Sequence, residues 1–136
     1  MKLDRFRNAV AAMILVGTIV PSLGAAELST QRSAQRGVTV LVTPRTVAHD
    51  TQAWEFRIVL DTHSQDLSDD LTKSAALIDG AGNRYVPLAW EGAPPGGHHR
   101  EGTLRFGPIS PIPTSLELRI ERAGELEPRS FRWQLP

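Results

Sequence analysis

Trp54-Glu55-Phe56-Arg57-Ile58-Val59-Leu60-Asp61 decides the fold class. Residues 54, 56, 58 and 60 are large and apolar, while 55, 57 and 61 are charged. A period of two places one set on each side of an extended chain, so this stretch is a half-buried β-strand. The same alternation recurs on either side of it. Upstream, Val38 to Thr43 places valines at even positions and stops at Pro44. Downstream, strands are predicted at Ala75 to Asp79, Arg84 to Leu88, Thr103 to Phe106, Ser115 to Arg122 and Arg129 to Leu135. Asp79-Gly80-Ala81-Gly82-Asn83 is turn chemistry and closes a hairpin. In Thr62 to Ser74, Leu67 and Leu71 stand four apart, the spacing of one short helical turn pinned to the core, with Ser68 or Asp66 as its cap. Seven short strands and no helix of ten residues predict an antiparallel β-sandwich of immunoglobulin-like layout, with an open barrel as the alternative.

The chain of 136 residues has room for one domain. Residues 1–26 read as a secretory signal peptide. Lys2, Arg5 and Arg7 precede a twelve-residue apolar run from Ala9 to Val20, and Gly24-Ala25-Ala26 offers small residues for cleavage. That run is short of the roughly 20 residues needed to cross a bilayer. Residues 27–36 are polar and aperiodic, which suggests a flexible mature N-terminus, and 37–136 form the sandwich. Removing Lys2, Arg5, Arg7 and Asp4 leaves 12 basic and 14 acidic residues, a balance with no nucleic-acid footprint. No cysteine is present and both methionines precede residue 27, so the mature domain has no sulfur ligand and no thiol nucleophile. The expected location is the periplasm or the exterior, with no membrane attachment after cleavage.

The most irregular stretch is Trp90-Glu91-Gly92-Ala93-Pro94-Pro95-Gly96-Gly97-His98-His99-Arg100-Glu101-Gly102. Its glycines and prolines define a shaped loop between strands, read as Ala89 to Gly102. Antiparallel strands alternate in direction, so the connections 62–74, 89–102 and 123–128 should share one pole. That places His63 near His98 and His99. Three imidazoles with Asp61, Asp66 or Glu101 offer a first shell for Zn(II) or Cu(II), without a diagnostic spacing. The alternative role for these histidines is to brace the loop, and Trp90, which opens it, is either a surface anchor or a plug packed beneath it. Asp61, Asp66, Asp69 and Asp70 could be read as a calcium loop, but their spacing is not that of an EF-hand. Asp61-Thr62-His63-Ser64 holds the residue types of a hydrolase triad, yet neighbours on extended chain diverge and cannot form its geometry.

Two stretches carry a resemblance: Asp61-Thr62-His63-Ser64-x-Asp66-Leu67-x-x-Asp70-Leu71, and Trp90-Glu91-Gly92-x-Pro94-Pro95-Gly96-Gly97-His98-His99-Arg100. In these the chain resembles a group of small exported bacterial and archaeal proteins to which no catalytic residue is assigned. The layout with Asp79, Gly80 and Tyr85 is also similar to other exported immunoglobulin-like domains. Such domains bind or support partners in the cell envelope. The resulting expectation is a non-enzymatic domain without a cofactor, binding an envelope protein or a small ligand through Trp90, His98, His99, Arg100 and His63. The competing expectation is a Zn(II) or Cu(II) protein using His63, His98, His99 and Asp61.

Overall fold

The computed structural model describes residues 28–48 and 51–136, so the signal-peptide reading and His49 lie outside the described residues. Among the described residues, nine strands form two antiparallel sheets. They are β1 (Gln31–Gln35), β2 (Val38–Thr46), β3 (Trp54–Thr62), β4 (Ala75–Asp79), β5 (Arg84–Tyr85), β6 (Ala89–Gly92), β7 (His99–Phe106), β8 (Ser115–Ile120) and β9 (Arg129–Gln134). One sheet runs β1-β2-β3-β7-β6 and the other β5-β4-β8-β9. The short helix α1 (Leu71–Ser74) joins the sheets ahead of β4.

The alternating residues meet between the sheets, as a strand with one apolar face requires. Val38, Val40 and Val42 of β2, Trp54, Phe56, Ile58 and Leu60 of β3, and Leu104 and Phe106 of β7 are buried. They face Leu77, Leu116, Leu118, Ile120, Phe131 and Trp133. Phe56 sits edge-on to Phe106 at 5.7 Å and tilted against Trp133 at 5.8 Å. Leu67 and Leu71 are buried as the spacing predicts. The helix cap is Asp70, whose side chain accepts from Thr72 N, and neither Ser68 nor Asp66 fills that role.

Three expectations are corrected. Gln31–Gln35 is an edge strand, not a flexible segment, although none of its side chains is buried. The predicted strand Arg84 to Leu88 is shorter: β5 ends at Tyr85, and after three residues a further strand, β6, begins in the other sheet. Finally, Ala89 to Gly102 is not one loop. Its two ends are β6 and the start of β7, paired Ala89↔Arg105 through Gly92↔Gly102, which leaves only 93–98 as the turn.

Candidate functional site

The connections 62–70, 93–98 and 121–128 do share a pole, together with the turn at Arg36 and Gly37. The backbone stitches them. Leu67 N donates to Gly97 O at 3.0 Å, Gly96 N donates to Leu67 O at 2.8 Å, and Thr62 N donates to His98 O at 2.9 Å. Gly97 N also donates to the Asp66 carboxylate at 2.8 Å. Gly96 and Gly97 have φ of 115° and 75°, backbone that a side chain would strain, and this lets the loop fold down onto Leu67.

Beneath these loops lie three buried arginines. Arg100 belongs to β7 and points inward in step with Leu104 and Phe106. It is 1% exposed. Its Nη1 donates to Asp69 O at 2.6 Å and Leu67 O at 3.2 Å, and its Nη2 to Ala93 O at 3.3 Å. The guanidinium lies 5.6 Å from the centre of the Trp90 ring, a cation–π contact. Burial pulls the Arg100 pKa down, with Asp69 and Asp70 pushing it back up. Arg122 clasps the Asp69 carboxylate at 2.9 and 3.2 Å. It also reaches Glu125 at 3.4 Å. Arg129 in turn grips Glu125, Nη2 to Oε1 at 2.6 Å and Nε to Oε2 at 3.0 Å. Its remaining donors go to Ser33 O, Val38 O and Gln35 O at 3.2, 2.8 and 2.9 Å. The Glu125 carboxyl is held below the usual carboxylate range, first by its hydrogen bond with Arg129. The network therefore ties both sheets and all the polar loops into one rigid end.

Trp90 and Arg100, both expected at the binding surface, have roles inside the fold. Trp90 is partly buried against the core and its indole N–H donates to Ala93 O at 2.9 Å. It lies where two glycines leave room. A Cβ on Gly102 would stand 2.7 Å from Trp90 Cζ2, and one on Gly92 would stand 3.0 Å from it. Inward placement of a cation with carbonyl partners makes Arg100 a clamp for two loops, 62–70 and 93–98, out of reach of a ligand.

The outward side of the same strands is different. Asp61 of β3 and His99 of β7 are register partners on the solvent face. His99 Nδ1 lies 2.5 Å from Asp61 Oδ1, and Nε2 lies 3.4 Å from Glu101 Oε2. Arg57 closes the row by donating to the other Glu101 oxygen. The hydrogen bond with Asp61 raises the His99 pKa above its usual 6.5, with help from Asp61's charge and from Glu101. His63 and His98 are exposed at the rim. The structure thus brings His99 and Asp61 together but not the full metal set. Among the described residues no three histidine, aspartate or glutamate side chains converge as a metal shell requires. The physical reason is that both nitrogens of His99 already face carboxylates on opposite sides of the ring. In the triad-like run, Thr62 turns inward and donates to Gly37 O at 2.8 Å, while Asp61 turns outward.

Sequence reasoning missed the acidic wall beside this rim. A cleft of about 740 Å³ lies between 65–74 and 121–128, lined by the acids Asp66, Asp70, Glu121 and Glu127 together with Lys73 and Arg122. The acids were scattered over two distant segments, and only the shared pole brings them together.

No family model, no curated protein and no solved structure matches the chain.

Proposed function

We propose that the protein is an exported, non-enzymatic binding domain of immunoglobulin-like layout. It presents the rim formed by His63, His98 and His99, with Asp61 and Glu101, to a partner or ligand in the cell envelope, in the periplasm or outside the cell. The observation that carries this reading is the split between neighbouring residues of β7. Arg100 points inward and is consumed by the fold, whereas His99 points outward into a row of Asp61, Glu101 and Arg57 that the core does not need. Rigid loops lower the entropy lost when a partner docks, and the arginine network supplies that rigidity here. The immunoglobulin-like layout is supported by two facing antiparallel sheets between which the chain passes at 63–74, 86–88 and 107–114.

The test is site-specific photo-crosslinking in the living producer cell. A photoreactive residue at His63 or His98 should yield a discrete adduct that is absent when the probe replaces Arg132 on the four-stranded sheet. Adducts of equal yield at both places, or none at the rim, would refute the reading. Titration of the protein with Zn(II) and Cu(II) bears on the competing metal reading. Heat at micromolar protein that disappears in a His99→Ala variant would replace the partner reading with the metal one.

A further inference from the structure

The first hairpin has an unusual balance of holding and straining contacts. β1 buries no side chain. It is held by its ladder to β2, by Trp133 Nε1 donating to Ser29 O at 2.7 Å, and by Arg129 donating to Ser33 O and Gln35 O. Thr30 and Thr43 hydroxyls extend the pairing at 2.7 Å. The link to β2 is only two residues long, Arg36 and Gly37, with φ of 49° and 75°. Two positive φ values in a two-residue hairpin make a type I′ turn, whose first position favours asparagine, aspartate or glycine. Arginine there carries a Cβ against its own carbonyl. Arg36 is the one non-glycine residue with positive φ among the described residues.

The register adds a second observation. Gln31 faces Val42, Arg32 faces Leu41, Ser33 faces Val40, Ala34 faces Thr39 and Gln35 faces Val38. Continued by one step, this series would pair residue 36 with residue 37. If the turn straightens, two chains running antiparallel about a twofold axis between Arg36 and Gly37 keep every one of these pairs, each now made with the other copy. The formerly unpaired turn residues complete a continuous ladder from Gln31 to Val42. We infer that two copies of this chain exchange β1 to form a strand-swapped dimer hinged at Arg36–Gly37. Each buried Arg129 then receives its Ser33 and Gln35 carbonyls from the other copy, so that each arginine's hydrogen bonds are completed by the partner. Short hinges under strain favour this exchange, because the open form keeps the closed form's strand ladder and loses the strain. Two contacts at the hinge itself have to be remade: Thr62 with Gly37 O, and Gln65 with Arg36 O.

The chain has no cysteine, which makes a crosslinking test clean. The protein is expressed from its full coding sequence with the pair Ala34→Cys and Thr39→Cys, oxidised over a range of concentrations and run on a non-reducing gel. Light scattering of the cysteine-free protein gives its mass in parallel. Exchange predicts a dimer that grows with concentration, and in the double-cysteine variant a covalent dimer that reduction dissolves. Arg36→Gly, which relieves the turn, should lower the dimer share by about fivefold or more. Gly37→Val, which forbids the turn, should raise it. Monomer alone at every concentration, with the thiols joined within one chain, overturns the inference. So does a dimer whose disulfides are all intrachain, or a dimer share indifferent to Arg36→Gly.

Discussion

Replacing Arg129 tests whether the pole is held by charge pairing in the way its geometry implies. The side chain is fully buried and Glu125, its carboxylate partner, is 5% exposed. Arg129→Met keeps much of the volume and removes all of the donors. Glu125 would then be left with Arg122 at 3.4 Å as its only cation, and three carbonyls would lose a charged donor. Those of Ser33 and Gln35 belong to an unburied strand and can recover water, so the orphaned carboxylate dominates the cost. Breaking a buried pair from one side costs about 3–5 kcal/mol, mostly because the other charge stays buried and unpaired. For a domain of roughly 100 residues that corresponds to a fall in Tm of about 12–20 °C. Removing both partners, Arg129→Met with Glu125→Leu, takes the stranded charge away and should recover a good part of the loss. Chemical denaturation of the four proteins gives the coupling directly from a double-mutant cycle. A single-variant loss below about 1 kcal/mol, or a double variant no better than the sum of its parts, would show that the network does not hold the pole. Acid supplies an independent reading of the same pair. The Glu125 pKa is depressed in the folded protein, so its contribution is present above the ordinary carboxylate value near 4.5. It is lost as pH falls through the depressed folded value, and Glu125→Gln should flatten that part of the stability profile.

Two further outcomes follow from contacts near the rim. Gly102→Ala would place a Cβ 2.7 Å from Glu91 O, Gly92 Cα and Trp90 Cζ2 at once. Two of these are backbone, so overpacking should cost about 1–3 kcal/mol and disturb Trp90 fluorescence, whereas unchanged stability would mean that the indole does not sit between the glycines. For His99, an NMR titration should give a pKa above 6.5 that moves back toward it in Asp61→Asn. Because the folded value is raised, the stabilisation is present below 6.5 and lost as pH rises through the folded pKa. An unmoved titration in Asp61→Asn would rule out the Asp61 contact in solution.

What the sequence disclosed depended on where apolar side chains carried the pattern. Trp54 to Leu60 declares its strand and its inward face without ambiguity. β1 has one small apolar side chain, Ala34, and so no alternation to read, and what holds it is backbone pairing plus Arg129, 94 positions from Gln35. Nothing local in Gln31–Gln35 announces that. The start of β7 was hidden differently. Gly102 interrupts the inward series of Arg100, Leu104 and Phe106, and a buried arginine looks polar to any periodicity count. Reading the strand from Thr103 placed Arg100 in a loop and made it available for binding. The pole assignment survived these errors for a physical reason. β5 pairs antiparallel with β4, and β6 with β7, so β5 and β6 both run toward the pole. The chain changes sheet at 86–88 without reversing, so the single predicted strand Arg84 to Leu88, with Ala89–Gly92 read as loop, leaves the direction of everything after it unchanged.

The fold also sharpens which residues of the histidine-bearing stretch remain free to act. Trp90 fills the space above Gly92 and Gly102, Gly96 and Gly97 supply left-handed backbone, and Arg100 fastens two loops from inside. Each of these has a sufficient structural reason to be what it is. His98 does not: its backbone carbonyl receives Thr62 N, a contact any residue could provide, and its ring is exposed. His63 is exposed in the same way, and His99 is an imidazole set between two carboxylates on a surface that needs no histidine for packing. Binding is therefore best sought in the three imidazoles and not in the larger motif around them. A perturbation that separates the two should follow the same line. His98→Ala should leave stability within about 0.5 kcal/mol, the range of an ordinary surface change, while lowering the yield of the adduct from a probe at His63. Arg100→Ala should lower both together, and a variant at Arg100 that lost the crosslink with its stability intact would return that residue to the binding surface.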